Sequence, residues 1–185
     1  MPISRRSFLK QALFGGATAL TIPWLAASPA QSRTQREEIS GRLSVTNTHT
    51  DESLLIRYLD ADGKWIPDAL WRLNHLFRCH YSDRVKPIDP DLFLLMDRIH
   101  TRLGAGRRPL NLISGYRSPE YNRLLMSKGR GVVKRSYHLK GMAADIQIRG
   151  VSLTGLCREA KQIQGGGVGL YSEFVHVDIG PVRCW

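Results

Sequence analysis

Three side chains have the types and spacing to hold a metal ion. His138 stands seven positions before Asp145, and the residues between include Gly141, Ala143 and Ala144, small enough to let backbone pass close to a bound group. Asp145-Ile146-Gln147-Ile148 alternates apolar and polar residues and reads as a short strand. A carboxylate on a strand and an imidazole on the loop before it can converge on one cation. The third donor is offered by Glu173-Phe174-Val175-His176-Val177-Asp178, with His176 inside a second short strand from Phe174 to Ile179. Two imidazoles and one carboxylate, with a fourth position open to water, is the coordination of a catalytic rather than a structural zinc site. A histidine near an aspartate is more commonly a plain hydrogen-bonded pair, so spacing alone leaves both readings open.

If one zinc is bound there, a bound water and a peptide carbonyl are activated together, and a general base must take the water's proton. Two carboxylates compete for that role. Glu173 stands three residues before His176. Asp178 stands two after it and so shares the face of His176 on a strand. Asp178 would serve either as the base or as an outer residue that orients a ligand histidine. A strongly apolar run, Pro109 to Ser114, delivers Ser114-Gly115-Tyr116-Arg117-Ser118 at its end. Strand ends are favoured places for function, which puts Ser114, Tyr116 and Arg117 forward as substrate-binding residues. Arg117 would stabilise the oxyanion of a tetrahedral intermediate or hold a substrate carboxylate; the alternative is a pairing with an internal acid.

These motifs carry a resemblance. His138 through Asp145 with Gly141 and Ala143 between them, followed by Glu173-x-x-His176, resembles the zinc D-alanyl-D-alanine peptidases and the hedgehog-like metallopeptidase group, peptidase family M15. Ser114-Gly115-Tyr116-Arg117-Ser118, Ser136-Tyr137-His138, Gly166-Gly167-Val168-Gly169 and Phe174-Val175-His176-Val177-Asp178, closing on Gly180-Pro181 and Trp185, look more specifically like a branch of bacterial murein endopeptidases once catalogued as a domain of unknown function. The resemblance spans roughly residues 40 to 185. It implies zinc on His138, Asp145 and His176, Arg117 beside the metal, and peptidoglycan stem peptides as substrate. That branch often lacks an acid where Glu173 stands and keeps the aspartate where Asp178 stands, so the choice of base stays open.

The elements that must position these residues can be read in chain order. Ser40 to Thr48 and Ser53 to Leu59 form two strands joined by a turn. Pro67 to His80 and Asp89 to Leu103 show helical apolar spacing, with Pro67 in a first turn and Asp89 as N-cap. Pro109 to Ser114 is a central strand and a helix follows from Pro119 or Glu120 to about Lys128. Residues 129–135 form a basic loop just before the metal motif. Ser152 to Ile163 is a helix, and Val168 to Tyr171 hairpins into the strand bearing His176. The expectation is an α+β fold, a small antiparallel sheet bearing the ligands with helices packed on the other side, and the element order also allows a mixed sheet. His75, His80 and His100 have no partner at ligand spacing and read as packing residues.

The first 30 residues read as a twin-arginine export signal: Arg5 and Arg6 precede Phe8-Leu9-Lys10, an apolar stretch, and small residues at Ser28-Pro29-Ala30. That places the protein in the periplasm, with membrane association only through the signal, lasting if the signal is uncleaved. Residues 31–39 read as a linker and 40–185 as one domain, long enough for a core without disulfides. The chain carries a net +11, and removing Arg5, Arg6 and Lys10 leaves 11 − 3 = +8. Such a surface suits anionic wall polymers and stem carboxylates. Nucleic acid is excluded as partner by the export signal and by the lack of any nucleic-acid-binding motif. Three cysteines, Cys79, Cys157 and Cys184, permit one disulfide with one left over. The expected activity is zinc-dependent hydrolysis of peptidoglycan cross-links. The alternatives are a carboxypeptidase on the same fold and a non-catalytic metal- or wall-binding module.

Overall fold

Alternation along two central strands separates a core face from a site face. On β4 (Ala143–Ile148), Ala144, Ile146 and Ile148 enter the hydrophobic core, which leaves Asp145 on the opposite face. On β6 (Val175–Asp178), Val175 and Val177 enter the core and His176 and Asp178 take the other side. The two strands are antiparallel, with Asp145 directly opposite His176 and Ala143 opposite Asp178. This register alone places two of the three proposed metal donors side by side.

The computed structural model describes residues 39–185 except Arg130. The export signal expected over residues 1–30, and the linker up to residue 38, lie outside the described residues. Among the described residues the sheet has seven strands, in the order β2-β1-β3-β4-β6-β5-β7. β1 (Arg42–Asn47) and β2 (Ser53–Arg57) form an antiparallel hairpin, and β3 (Leu110–Ser114) runs parallel to β1 and antiparallel to β4. β5 (Gly167–Leu170) is antiparallel to β6, and the two-residue β7 (Arg183–Cys184) runs parallel to β5. The α+β class holds. The sheet is larger than expected and mixed, because β1 joins β3 only after the chain has passed through two helices, which delivers it in the same direction.

Helices α1 (Pro67–Leu76), α2 (Pro90–Arg102) and α4 (Leu153–Ile163) cover the core face. Asp89 caps α2 by accepting from the Asp91 amide, and Leu92, Met96 and Ile99 repeat at helical spacing and are fully buried. Each such side chain contributes about 1.5–3 kcal/mol through burial. α1 stops at Leu76, short of the expected His80, because the Arg78 amide turns to the His75 carbonyl and the Cys79 amide to the Arg84 carbonyl instead of continuing the helical ladder; the Phe77 carbonyl, left without a helical donor, accepts from the Tyr116 amide at 2.8 Å. α3 (Pro119–Ser127) is capped by Ser118 and sends Asn122 inward, where its amide donates to the Val133 carbonyl and ties down the loop before the metal motif. All three cysteines are free: Cys79 and Cys157 are buried and Cys184 is exposed. Among the described residues no helix is long and apolar enough to cross a membrane.

Candidate active site

Each donor is delivered by a different local device. His138 lies in a 3-10 turn, Tyr137–Lys140, whose start is capped by the Ser136 hydroxyl accepting from the His138 amide. Gly141 ends that turn at φ +73, where a Cβ would stand 2.6 Å from the Pro87 carbonyl, so only glycine lets the chain swing into β4. His138 is then fixed by donating from Nδ1 to the Gly115 carbonyl at 2.7 Å, which assigns the tautomer and leaves Nε2 as a free lone pair. Asp145 and His176 come from the paired strands. The result is a triangle: His138 Nε2 to Asp145 Oδ1 3.2 Å, His138 Nε2 to His176 Nδ1 3.2 Å, and His176 Nδ1 to Asp145 Oδ1 2.8 Å.

That triangle tests whether a metal fits. Ligands at roughly 2.0–2.1 Å around a tetrahedral zinc stand roughly 3.3 Å apart, and the three donor atoms already stand near that separation. The donor set is two imidazoles and a carboxylate, all buried. His138 is held neutral, burial pushing its pKa down. Burial pushes Asp145 the other way, yet His138, His176 and Arg117 outweigh it and keep the carboxyl below its ordinary range. A neutral imidazole and an ionised carboxylate are the forms that bind a cation. The residues fit zinc.

Around the donors lies a supporting shell. Arg117 donates from Nη2 to Asp145 Oδ2 and from Nε to the Ser114 hydroxyl at 2.9 Å, which holds the carboxylate so that Oδ1 faces the triangle. His176 donates from Nε2 to Asp178 Oδ2 at 3.1 Å. Burial pushes the His176 pKa down, but Asp145 and Asp178 outweigh it and raise it, so a metal taking Nδ1 as ligand must displace a proton from that nitrogen. Asp178 is fully buried. Burial would raise its pKa, but His176, Arg183 and the Gly180 amide hold it low, so it stays an acceptor.

Residues 36–185 match the family described as peptidoglycan L,D-endopeptidase MepK, within peptidase M15. The chain belongs to this family. The peptidoglycan L,D-endopeptidase MepK of Escherichia coli strain K12 is 44% identical over 145 residues, covering 77% of this chain and 79% of that protein. The probable peptidoglycan L,D-endopeptidase MepK of Haemophilus influenzae is 40% identical over 145 residues, 77% of each chain. Among solved structures, the L-Ala D-Glu endopeptidase ChiX of Serratia marcescens matches with a TM-score of 0.33 and 24% identity, over 42% of this chain and 62% of that one.

The donors open onto a cavity of about 430 Å³, within the size range of ligand pockets. Arg117, His138, Asp145 and His176 line it; Ser114, Tyr116, Glu173 and Asp178 do not. Ser114 was expected to touch substrate but is buried, its hydroxyl spent on Arg117. Tyr116 packs against the core beneath Lys86. Asp178 sits behind His176, with both oxygens engaged by the protein. Glu173 is exposed on the hairpin turn, where its carbonyl accepts from Gln147 Nε2.

The sequence suggests no role for the aromatic wall of Tyr171, Phe174 and Trp185, nor for Arg183; Arg135 lines the cavity from the basic loop before the metal motif, a loop the sequence leaves open as either a flank of the substrate groove or a solvated loop. Trp185 lies flat over Gly169, where a Cβ would come within 2.5 Å of the indole, and donates from Nε1 to the Tyr171 hydroxyl at 2.9 Å. Gly169, opposite His176 in the β5–β6 register, was the available signal: a glycine inside a strand marks a close approach.

Proposed function

We propose that this protein is a zinc-dependent peptidoglycan endopeptidase that cuts L,D cross-links between stem peptides, with one zinc per chain. The observation that carries the reading is the convergence of His138 Nε2, Asp145 Oδ1 and His176 Nδ1 at the base of an open cavity. The family supplies the substrate class, since two relatives are named as L,D-endopeptidases of peptidoglycan.

Zinc in this triangle supplies an activated water and a Lewis acid for the scissile carbonyl. The chain's own residues supply the rest. Arg117 keeps Asp145 turned toward the triangle, and its Nη1, without a partner among the described residues, is the donor for a developing oxyanion or a substrate carboxylate. Asp178 orients His176, with both oxygens engaged by the protein. Neither candidate base lines the cavity; we take Glu173, exposed on the turn beside the cavity-lining Phe174, as the proton acceptor, because its side chain is not committed to the support of His176. Tyr171, Phe174 and Trp185 give the substrate an apolar wall. The basic surface favours anionic wall polymer.

Digestion of purified murein sacculi, followed by identification of the muropeptides, tests this reading. The zinc-loaded protein is expected to release products of broken L,D cross-links and the chelated protein none; release by both, or by neither, refutes it. Export by the twin-arginine route through Arg5 and Arg6, and hence a periplasmic place of action, belongs to the same proposal. Replacing both arginines with lysine is expected to retain the protein in the cytoplasm, and unchanged export points to the general secretory route.

A further inference from the structure

Behind His176 lies a second ionic arrangement, of which the proposed reaction uses only the bond from His176 to Asp178. Asp178 receives five hydrogen bonds. Its Oδ1 accepts from the Gly167 amide at 3.2 Å, the Gly180 amide at 2.8 Å and Arg183 Nη1 at 3.1 Å. Its Oδ2 accepts from His176 Nε2 at 3.1 Å and Arg183 Nη2 at 2.6 Å. The two backbone amides hold only Oδ1. A carboxylate pinned at one oxygen can still swing the other away from the imidazole. Arg183 places one nitrogen on each oxygen, and this fork fixes the plane of the carboxylate.

The guanidinium is itself immobilised. It lies between two rings, 5.1 Å from the centroid of Tyr137 and 5.1 Å from that of Trp185, and Nη1 also donates to the Pro181 carbonyl at 3.0 Å. Tyr137 belongs to the 3-10 turn that carries His138, so the same side chain ties that turn, β6 and β7 together. Space for it exists because residue 167 is glycine: a Cβ there would stand 2.5 Å from Asp178 Oδ2 and 2.6 Å from Arg183 Nη1.

We propose that Arg183 is a positioning residue: acting through Asp178, it sets the orientation in which His176 presents Nδ1 to zinc. The inference rests on the zinc reading of the site. β7, with two residues, is therefore part of the metal centre's support rather than a mere sheet edge.

The test is a zinc competition titration of the full chain against a chromophoric chelator. Arg183→Ala is expected to weaken zinc about 10–100-fold, the range for losing an outer-shell partner, and Arg183→Lys to recover part of it because one donor returns without the fork. Gly167→Ala retains both charges and displaces the guanidinium and carboxylate, so it is expected to weaken zinc in the same direction even if Arg183→Ala does not fold. In an Asp178→Asn background, Arg183→Ala is expected to change affinity less than about twofold, since contacts acting through one residue are not additive. Parent-like zinc affinity in Gly167→Ala and Arg183→Ala overturns the proposal. So does an equal effect of Arg183→Ala with and without Asp178. The parent's stoichiometry is read in the same titration: one zinc per chain with an insensitive Arg183 removes the positioning role alone, and no zinc at all removes the site reading beneath it.

Discussion

Glu173 and Asp178 separate cleanly by what each loses with its charge. In Asp178→Asn, the amide has two orientations and neither satisfies the pocket. With the NH2 group at Oδ1 it faces the Gly167 and Gly180 amides and Arg183 Nη1; at Oδ2 it faces His176 Nε2–H and Arg183 Nη2. Three donors meet a donor in the first case and two in the second, at about 1–3 kcal/mol for a buried group left without its partner. His176 is the member of this network that also serves the metal triangle, so a changed contact at its Nε2 is read out in zinc binding. Zinc affinity is expected to fall about 10–100-fold, or about 1.4–2.7 kcal/mol. Glu173→Gln touches nothing in this network and is expected to bind zinc as the parent does. Its turnover is expected to fall about 10²–10⁴-fold, the contribution of a positioned base. The assay pairs a zinc competition titration with the rate of cleavage of a cross-linked muropeptide at saturating zinc. Parent-rate cleavage by Glu173→Gln, or a zinc-replete Asp178→Asn with the larger loss of rate, would refute the assignment.

Three further outcomes are expected. Gly115→Ala would put a Cβ 2.6 Å from the Phe77 carbonyl, forcing apart the backbone whose oxygen holds His138; urea unfolding is expected to show a loss of about 1–3 kcal/mol, the usual cost of overpacking, together with weaker zinc binding. His80 stacks on His49 at 3.6 Å and lies 3.1 Å from the Tyr121 hydroxyl, and burial, helped by His49 and Arg117, lowers its pKa to about 4. A depressed histidine leaves the unfolded chain binding more protons, so this stability is complete above about pH 6.5 and lost as pH falls through about 4; after solvent screening it amounts to about 1–2 kcal/mol, and His80→Gln is expected to flatten that part of the pH–stability curve. Stripping the metal is expected to lower the melting temperature by about 5–10 °C relative to protein with zinc at 100 times its Kd, with recovery on adding zinc back.

Much of the fold was legible because its signals are local. Asp89-Pro90 and Ser118-Pro119 mark helix starts, and the alternation over Asp145–Ile148 marks a strand face; all three are chemistry between near neighbours. The helix that was expected to reach His80 and stops at Leu76 shows the limit. The Arg78 and Cys79 amides leave the helical ladder for His75 and Arg84, and the carbonyl of Phe77 goes to Tyr116, 39 positions later in the sequence; apolar periodicity carries none of these bonds. β7 escaped notice for a related reason. Two residues have no periodicity, and the strand exists because β5 offers it an edge.

The site divides in the same way. The donors were legible because a period of two placed His176 and Asp178 on one face, and the β4–β6 register then set Asp145 opposite His176. The role of Ser114 was not, and for Asp178 the sequence left base and histidine-orienter both open, because these depend on a bulge and on Arg183. β3 slips between Leu112 and Ser114, so that Leu112 pairs with Ile146 but Ser114 pairs with Asp145. Without that extra residue Ser114 would continue the inward alternation of Leu110 and Leu112. With it the hydroxyl turns to the site face and receives Arg117 Nε, which is how the Arg117 fork comes to hold Asp145. Each aspartate on this face is thereby matched by an arginine, Arg117 for Asp145 and Arg183 for Asp178. The pairing keeps both carboxylates ionised in a buried site while each turns an oxygen toward the metal triangle or its histidine. An isolated carboxylate buried here would be driven toward its neutral form and lose that function.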